Sequence, residues 1–112
     1  MESVSVKDIV FVAFPFFDLS QSKLRPALVL ANAQRNDWIL CQITSQSYDD
    51  NQAIALNPTD FQTGFLSKVS YVRPHKLFTA NDQLVKKTVA RLSDAKQQAI
   101  IHVIQKILSD GY

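Results

Sequence analysis

The chain has 112 residues, the size of one compact domain, so residues 1–112 are expected to form a single unit with no separate catalytic and regulatory modules. Hydrophobic residues make up 46% and charged residues 20%, which supplies a core and excludes a disordered tail. The formal net charge of +2 is too small to announce a nucleic-acid binder by itself.

Other absences narrow the chemistry. The longest apolar runs are far shorter than the ~20 residues of a membrane-spanning helix, so no membrane association is expected. The N-terminus lacks the basic and apolar regions of a secretory signal, and the lone Cys41 has no internal disulfide partner, which together predict a cytoplasmic protein. One Cys and two separated His residues do not make a zinc set, and Asp49–Asp50 lacks the spaced ligands of a calcium loop. With Gly64 and Gly111 as the only glycines, neither a P-loop nor a dinucleotide fingerprint can be written. Neither a metal nor a cofactor is therefore expected. Glu2 is the only glutamate and no serine sits in a nucleophile elbow, which argues against a glycosidase pair or a hydrolase triad.

In chain order, Lys7 to Phe14 reads as a strand rich in β-branched and aromatic residues and ended by Pro15. Phe16 to Leu24 reads as a loop. Pro26–Ala31 and Trp38–Thr44 are apolar runs joined by a polar, turn-rich connection, as in an antiparallel hairpin. Ser45 to Gln52 is polar; Ala53–Leu56 is a short strand; Asn57–Asp60 and Gly64 mark turns. Val69–Val72 is a strand stopped by Pro74, and Leu84–Leu92 alternates as the last strand. The period then changes. Ser93 suits a helix N-cap, Ala99, Ile100, Val103, Ile104 and Ile107 recur at helical spacing, and Gly111 lies past the end. His102 falls on the polar side of that helix. The elements predict a small, mainly β (α+β) domain, a partly open barrel of five to seven antiparallel strands with a C-terminal helix packed against it.

Charge is unevenly distributed. Residues 1–60 carry four basic and seven acidic side chains, residues 61–112 eight basic and three acidic ones. Lys68, Arg73, Lys76, Lys86, Lys87 and Arg91 fall in one stretch opposed only by Asp82, a pattern that suits phosphates or an acidic peptide. A solvated strand face accounts for it equally.

Three blocks carry a family resemblance. Asp8–Ser20 followed by Leu24–Leu30 is similar to a D-I-V strand, F-P-F loop and R-P-x-x-V-L strand; Cys41–Ser45 ends in I-T-S; Asp60–Phe61 through Gly64 and Leu66 leads to Ser70-Tyr71-Val72-Arg73-Pro74. In this order the blocks resemble the MazF/PemK family of toxin endoribonucleases from bacterial toxin–antitoxin pairs, the PemK-like branch in particular. The resemblance covers nearly the whole chain. It implies an SH3-like barrel, a homodimer, metal-independent cleavage of single-stranded RNA, and a cognate antitoxin with an acidic segment. Carried over residue by residue, Arg25 matches the family's catalytic arginine and Thr44 its catalytic threonine. Phe17, Lys23, Ser45, Gln46 and Tyr48 would bind RNA from the flanking loops. Two departures stand out: Lys7 replaces a glycine before the first strand and is expected to alter a turn, and Phe17 replaces a small hydroxyl residue.

The residue types suit the implied reaction. RNA carries its own nucleophile, the 2′-hydroxyl, so cleavage needs help with two proton transfers and with charge on the phosphorane. Arg25 offers a planar, permanently charged fork to phosphate oxygens, and Thr44 a hydroxyl. In an antiparallel hairpin the start of one strand and the end of the next lie side by side, which brings both residues to one place; two unrelated polar residues at a hairpin mouth would do the same. Two other functions fit this sequence: a non-catalytic toxin of the same fold that binds a protein target such as gyrase, and a silent module that binds RNA or an antitoxin.

Overall fold

The computed structural model describes residues 4–14, 23–46 and 52–111. These form β1 (Asp8–Phe14), β2 (Lys23–Asn32), β3 (Asp37–Thr44), β4 (Ile54–Leu56), β5 (Phe61–Gly64), β6 (Ser70–Asn81), β7 (Val85–Leu92) and α1 (Asp94–Asp110), with short 3-10 turns at Pro58–Asp60 and Asp82–Leu84. All seven strands join one antiparallel sheet in the order β4-β6-β3-β2-β1-β7-β5.

That order forces curvature. The two edge strands, β4 and β5, are consecutive in the chain and linked only by Asn57–Asp60. A flat sheet would hold them about 29 Å apart, at roughly 4.8 Å per strand spacing. The five Cα–Cα steps from Leu56 to Phe61 reach at most about 19 Å at 3.8 Å each. The sheet therefore curls into a half-barrel.

Strand alternation sends apolar side chains to both faces. On one face Ile9, Leu28, Cys41, Ile43, Leu56, Val72, Ala90 and Leu92 pack with Ile100 and Ile104 of α1. On the other, Val10, Val12, Ala27, Val29, Leu40 and Ala80 form a second cluster, flanked by Trp38, Phe78 and Val85. Burying each of the two helix isoleucines is worth about 1.5–3 kcal/mol, which anchors α1 to the sheet. The helix is capped as expected. Ser93 Oγ accepts the Lys96 N–H at 3.2 Å, and Gly111 takes the left-handed conformation at φ 74°. Val103 and Ile107 are half-buried and His102 is exposed, whereas Ala99 is exposed and Gln97 is buried instead, its Nε2 donating to the Val29 carbonyl at 3.3 Å.

Three expectations need correction. Pro74 does not stop a strand: β6 runs through it to Asn81, because the register with β3 shifts between Cys41 and Ile43, and a bulge tolerates a residue that has no N–H. The Cys41 Sγ–H donates to the Arg73 carbonyl at 2.8 Å, tying β3 to that irregular segment. Gly64 is not a free turn but the end of β5 at φ 72°, where a Cβ would stand 2.4 Å from the Val89 carbonyl oxygen. Leu84 belongs to the 3-10 turn before β7, not to the strand.

The turn at Lys7, where the resemblance leads to the expectation of glycine, has a left-handed backbone. Lys7 itself adopts φ 81°, the left-handed region, and its backbone joins two strands: its N–H donates to Val29 at 3.1 Å and its carbonyl accepts from Leu92 at 2.9 Å. The side chain is used as well, since Nζ pairs with Asp94 in the first turn of α1. That hydrogen bond and its charge hold the exposed Asp94 carboxyl below its ordinary 3.8. Removing the ammonium and relaxing the backbone are separable. Lys7→Gly should be more stable than Lys7→Ala by about 1 kcal/mol in urea titrations, because both lose the ion pair and only glycine removes the left-handed penalty. Equal stabilities would contradict the assignment of strain to this position.

Burial pushes the Cys41 thiol up from 9.0 to about 12, against the smaller opposite effects of a backbone hydrogen bond with Arg73 and of the Arg73 charge. The thiol stays neutral at physiological pH and should resist thiol-reactive dyes until the protein unfolds. The unfolded thiol releases its proton near 9.0 and the folded one only near 12, so its contribution to stability is complete below the lower value and is lost as pH rises between them. The stability advantage of wild type over Cys41→Ala should shrink across that alkaline window, measured by chemical denaturation; a constant difference would refute the shift.

Candidate active site

The hairpin of β2 and β3 positions the two residues singled out as catalytic. Its turn contains Gln34, Arg35 and Asn36, all with positive φ, and the Asp37 N–H returns to the Gln34 carbonyl at 3.0 Å. Positive φ at both central residues, Arg35 and Asn36, is the type I′ geometry that matches strand twist. From there the strands pair with a bulge between Val29 and Ala31 and settle into Val29↔Leu40, Leu28↔Cys41 and Ala27↔Gln42. Pairing ends at Ala27, next to Pro26, which has no N–H to give. Carried two residues on, this register sets Arg25 opposite Thr44.

Alternation places both side chains on one face. Arg25 shares the side of Ala27 and Val29, and Thr44 that of Leu40, which is the face of the second cluster and not the one covered by α1. Arg25 is also directly opposite Val12 of β1, and Thr44 directly opposite Tyr71 of β6. The pairs Val12↔Arg25 and Thr44↔Tyr71 would join into one row across four adjacent strands if the β2–β3 register continued past Ala27↔Gln42. Arg25 is exposed and Thr44 half-buried. Thr44 Oγ1 accepts the Gln46 backbone N–H at 3.1 Å, which leaves the hydroxyl proton available to donate.

The remaining sequence-predicted residues divide by location. Ser45 and Gln46 are exposed and follow Thr44 immediately, so they border the Arg25–Thr44 end of the hairpin. The backbone of Lys23 pairs with Phe14, two residues before Arg25, while its side chain, together with Phe17 and Tyr48, lies outside what the structure describes. Gln42 and Tyr71 were not singled out from sequence and sit on the same face next to the pair. Gln42 was accessible from alternation alone, two residues before Thr44; Tyr71 required the β3–β6 pairing, which no local pattern announces.

The cationic stretch is dispersed. Arg73 and Lys76 lie on β6, while Lys86, Lys87 and Arg91 lie on β7, with β3, β2 and β1 between them in the sheet. Arg91 is paired with Asp8 at 3.1 Å, and Lys86 Nζ donates to the Gln83 carbonyl at 3.0 Å. Among the described residues no three of His, Cys, Asp and Glu gather into a metal-binding group, and no helix is long and apolar enough to cross a membrane. With its neutral thiol buried on the helix-covered face, Cys41 has no access to this site.

Comparisons with known proteins agree with this architecture. An endoribonuclease from a mycobacterial species, solved in complex with its cognate antitoxin, is 15% identical over 97% of this chain and 96% of its own, with a TM-score of 0.70. MazF of a MazE–MazF structure from Deinococcus radiodurans is 18% identical over 96% of this chain and 98% of that one, with a TM-score of 0.76. The Mycobacterium tuberculosis toxin MazF-mt6 is 14% identical over 91% and 96%, with a TM-score of 0.70. At these identities the likeness is one of fold. No curated protein matches the chain in sequence. The model of PemK-like, MazF-like toxins of type II toxin–antitoxin systems matches residues 5–108, and the chain belongs to that family.

Proposed function

We propose that this toxin is a metal-independent endoribonuclease that cleaves single-stranded RNA sequence-selectively, with Arg25 and Thr44 acting on one phosphate. The observation that carries the reading is the β2–β3 register, paired as far as Ala27↔Gln42, whose continuation would bring the exposed Arg25 beside Thr44, an acceptor of the Gln46 N–H. The chemistry follows from donor geometry. The 2′-hydroxyl of the substrate attacks its own phosphorus, forming the 2′,3′-cyclic phosphate and expelling the 5′-oxygen of the next nucleotide. Negative charge grows on the non-bridging oxygens during the attack. Arg25 offers up to five N–H donors to that charge, and Thr44 adds an O–H aimed from the neighbouring strand. A neutral guanidinium is scarce at physiological pH, so Arg25 serves as the electrostatic partner and not as the base.

The same reading extends to partners. Family membership and the antitoxin-bound relative support a cognate antitoxin whose acidic segment neutralises this chain, and the family resemblance supports a homodimer acting in the cytoplasm.

Purified protein incubated with a long transcript in EDTA should produce fragments ending in a 2′,3′-cyclic phosphate and beginning with a 5′-hydroxyl. Arg25→Ala should lower kcat about 10²–10³-fold, the cost of removing one preorganised donor from a developing oxyanion. Arg25→Lys should recover only part of it, since an ammonium does not reproduce the planar fork. Thr44→Ser should retain most activity and Thr44→Val little. Intact RNA, or full activity in Arg25→Ala, would refute the proposal.

A further inference from the structure

The row through Arg25 does not end at β1. Val12, which faces Arg25 on one side, faces Val85 of β7 on the other, so Arg25, Val12 and Val85 lie in line across three strands. Two strand spacings, about 10 Å, separate the first from the last. Beyond Val85 the surface opens into a groove of about 470 Å³, floored by Val4 and Val85 and bordered by Asp82, Gln83, Lys86 and Lys87.

Local irregularity creates this groove. The pairing of β1 with β7 steps from Phe11↔Lys87 to Val12↔Val85, leaving Lys86 as an extra, bulged residue. A bulge ends regular alternation and re-aims side chains: Lys86 stands beside Val85, while Lys87, paired with Phe11, starts from the other side of the strand, and both exposed residues line the groove. Lys86 spends one of its three donors on the Gln83 carbonyl, which holds the ammonium at the groove with two donors unspent. No ion pair among the described residues engages Lys86 or Lys87. The one carboxylate on the rim, Asp82, accepts the Trp38 indole N–H at 2.6 Å.

We propose that the Lys86–Lys87 groove is a subsite for the ribose–phosphate backbone of the RNA strand beside the scissile phosphate, a reading that rests on the ribonuclease assignment. A strand with its reactive phosphate at Arg25 and Thr44, running across β1 toward β7, reaches the groove within a few nucleotides. There its phosphates meet the Lys86 ammonium beside the apolar lining, and Lys87 borders the groove from the other side of β7. The contact is to backbone and not to bases, so it raises affinity for every sequence and adds no selectivity.

The test is salt-dependent binding, by fluorescence anisotropy, of a 2′-O-methyl oligonucleotide copied from a transcript that the wild type cleaves; the methyl group removes the nucleophile. Lys86→Gln/Lys87→Gln should weaken binding about 5- to 20-fold at 0.1 M salt and make the log–log salt dependence shallower by about 1.4, two lost single-strand contacts at roughly 0.7 each. Its kcat at saturating RNA and its pattern of cleavage sites should not change. Lys68→Gln, at an exposed lysine of the β5–β6 connection that lines a different pocket, should bind as wild type does. Active wild type with an unchanged salt slope in the double variant overturns the subsite and leaves the ribonuclease reading intact. Unchanged RNA affinity with lost binding of a polyglutamate peptide overturns it in favour of an acidic protein surface. A wild type that cleaves no RNA overturns both.

Discussion

The proposed chemistry depends on the register of one hairpin. Side chains alternate along a strand, so a slip of one residue between β2 and β3 would keep Arg25 and Thr44 near each other in sequence terms while turning one of them to the opposite face. Two features prevent the slip. The turn at Gln34–Asn36 fixes the loop length through three consecutive left-handed residues, an arrangement held by the hydrogen bond from Asp37 to Gln34 and by the Asp82 N–H on the Asn36 carbonyl. The paired strands then bury Leu28 and Cys41 on one face and Val29 and Leu40 on the other, so any shift would exchange the contents of two cores.

The rest of the fold supplies rigidity around that hairpin. β1 and β6 flank it, and both edges of the sheet are brought round by the short Asn57–Asp60 link. Asp60 acts as the clasp of this closure: its carboxylate accepts the Asn57 N–H at 2.7 Å and pairs with Lys96 at 3.3 Å, while its carbonyl accepts the Ser93 N–H at 2.8 Å. One acidic residue thereby connects the β4–β5 turn to the start of the helix. Lys7 performs a comparable task at the other end of β1, joining β2, β7 and α1. The helix covers only one face of the sheet. The other face carries the Arg25 row, open to solvent at the end of the hairpin where Pro26 interrupts the ladder.

Local patterns announced much of this. The apolar runs of β1, β2 and β3, the polar hairpin turn, and the helix with Ser93 and Gly111 at its ends all follow from short-range chemistry, and the structure contains them with boundaries shifted by a few residues. That Arg25 and Thr44 lie at the same end of the β2–β3 hairpin was legible too, because it requires only that consecutive strands form a hairpin. What escaped depends on distant contacts. Pro74 reads as a strand terminator until the bulge opposite Cys41 is known. Gly64 reads as a turn until β5 is seen against Val89 and Ala90 of β7. Lys7 reads as a departure from glycine, and its left-handed backbone with hydrogen bonds to Val29 and Leu92 emerges only from the fold. The basic stretch reads as one patch in sequence, and the strand order divides it between two strands.

Family membership gives the protein its toxin class, and the proposed chemistry rests on a permanently charged guanidinium and a hydroxyl at the same end of one hairpin. The central claim is that the two groups act together on a single phosphate. A double-mutant cycle on single-turnover cleavage, comparing Arg25→Ala, Thr44→Ala and the double variant, tests it directly. If both groups stabilise the same oxyanion, the double variant will lose far less than the product of the two single losses. Losses that multiply would mean that Arg25 and Thr44 act independently, and the shared-phosphate account would be wrong.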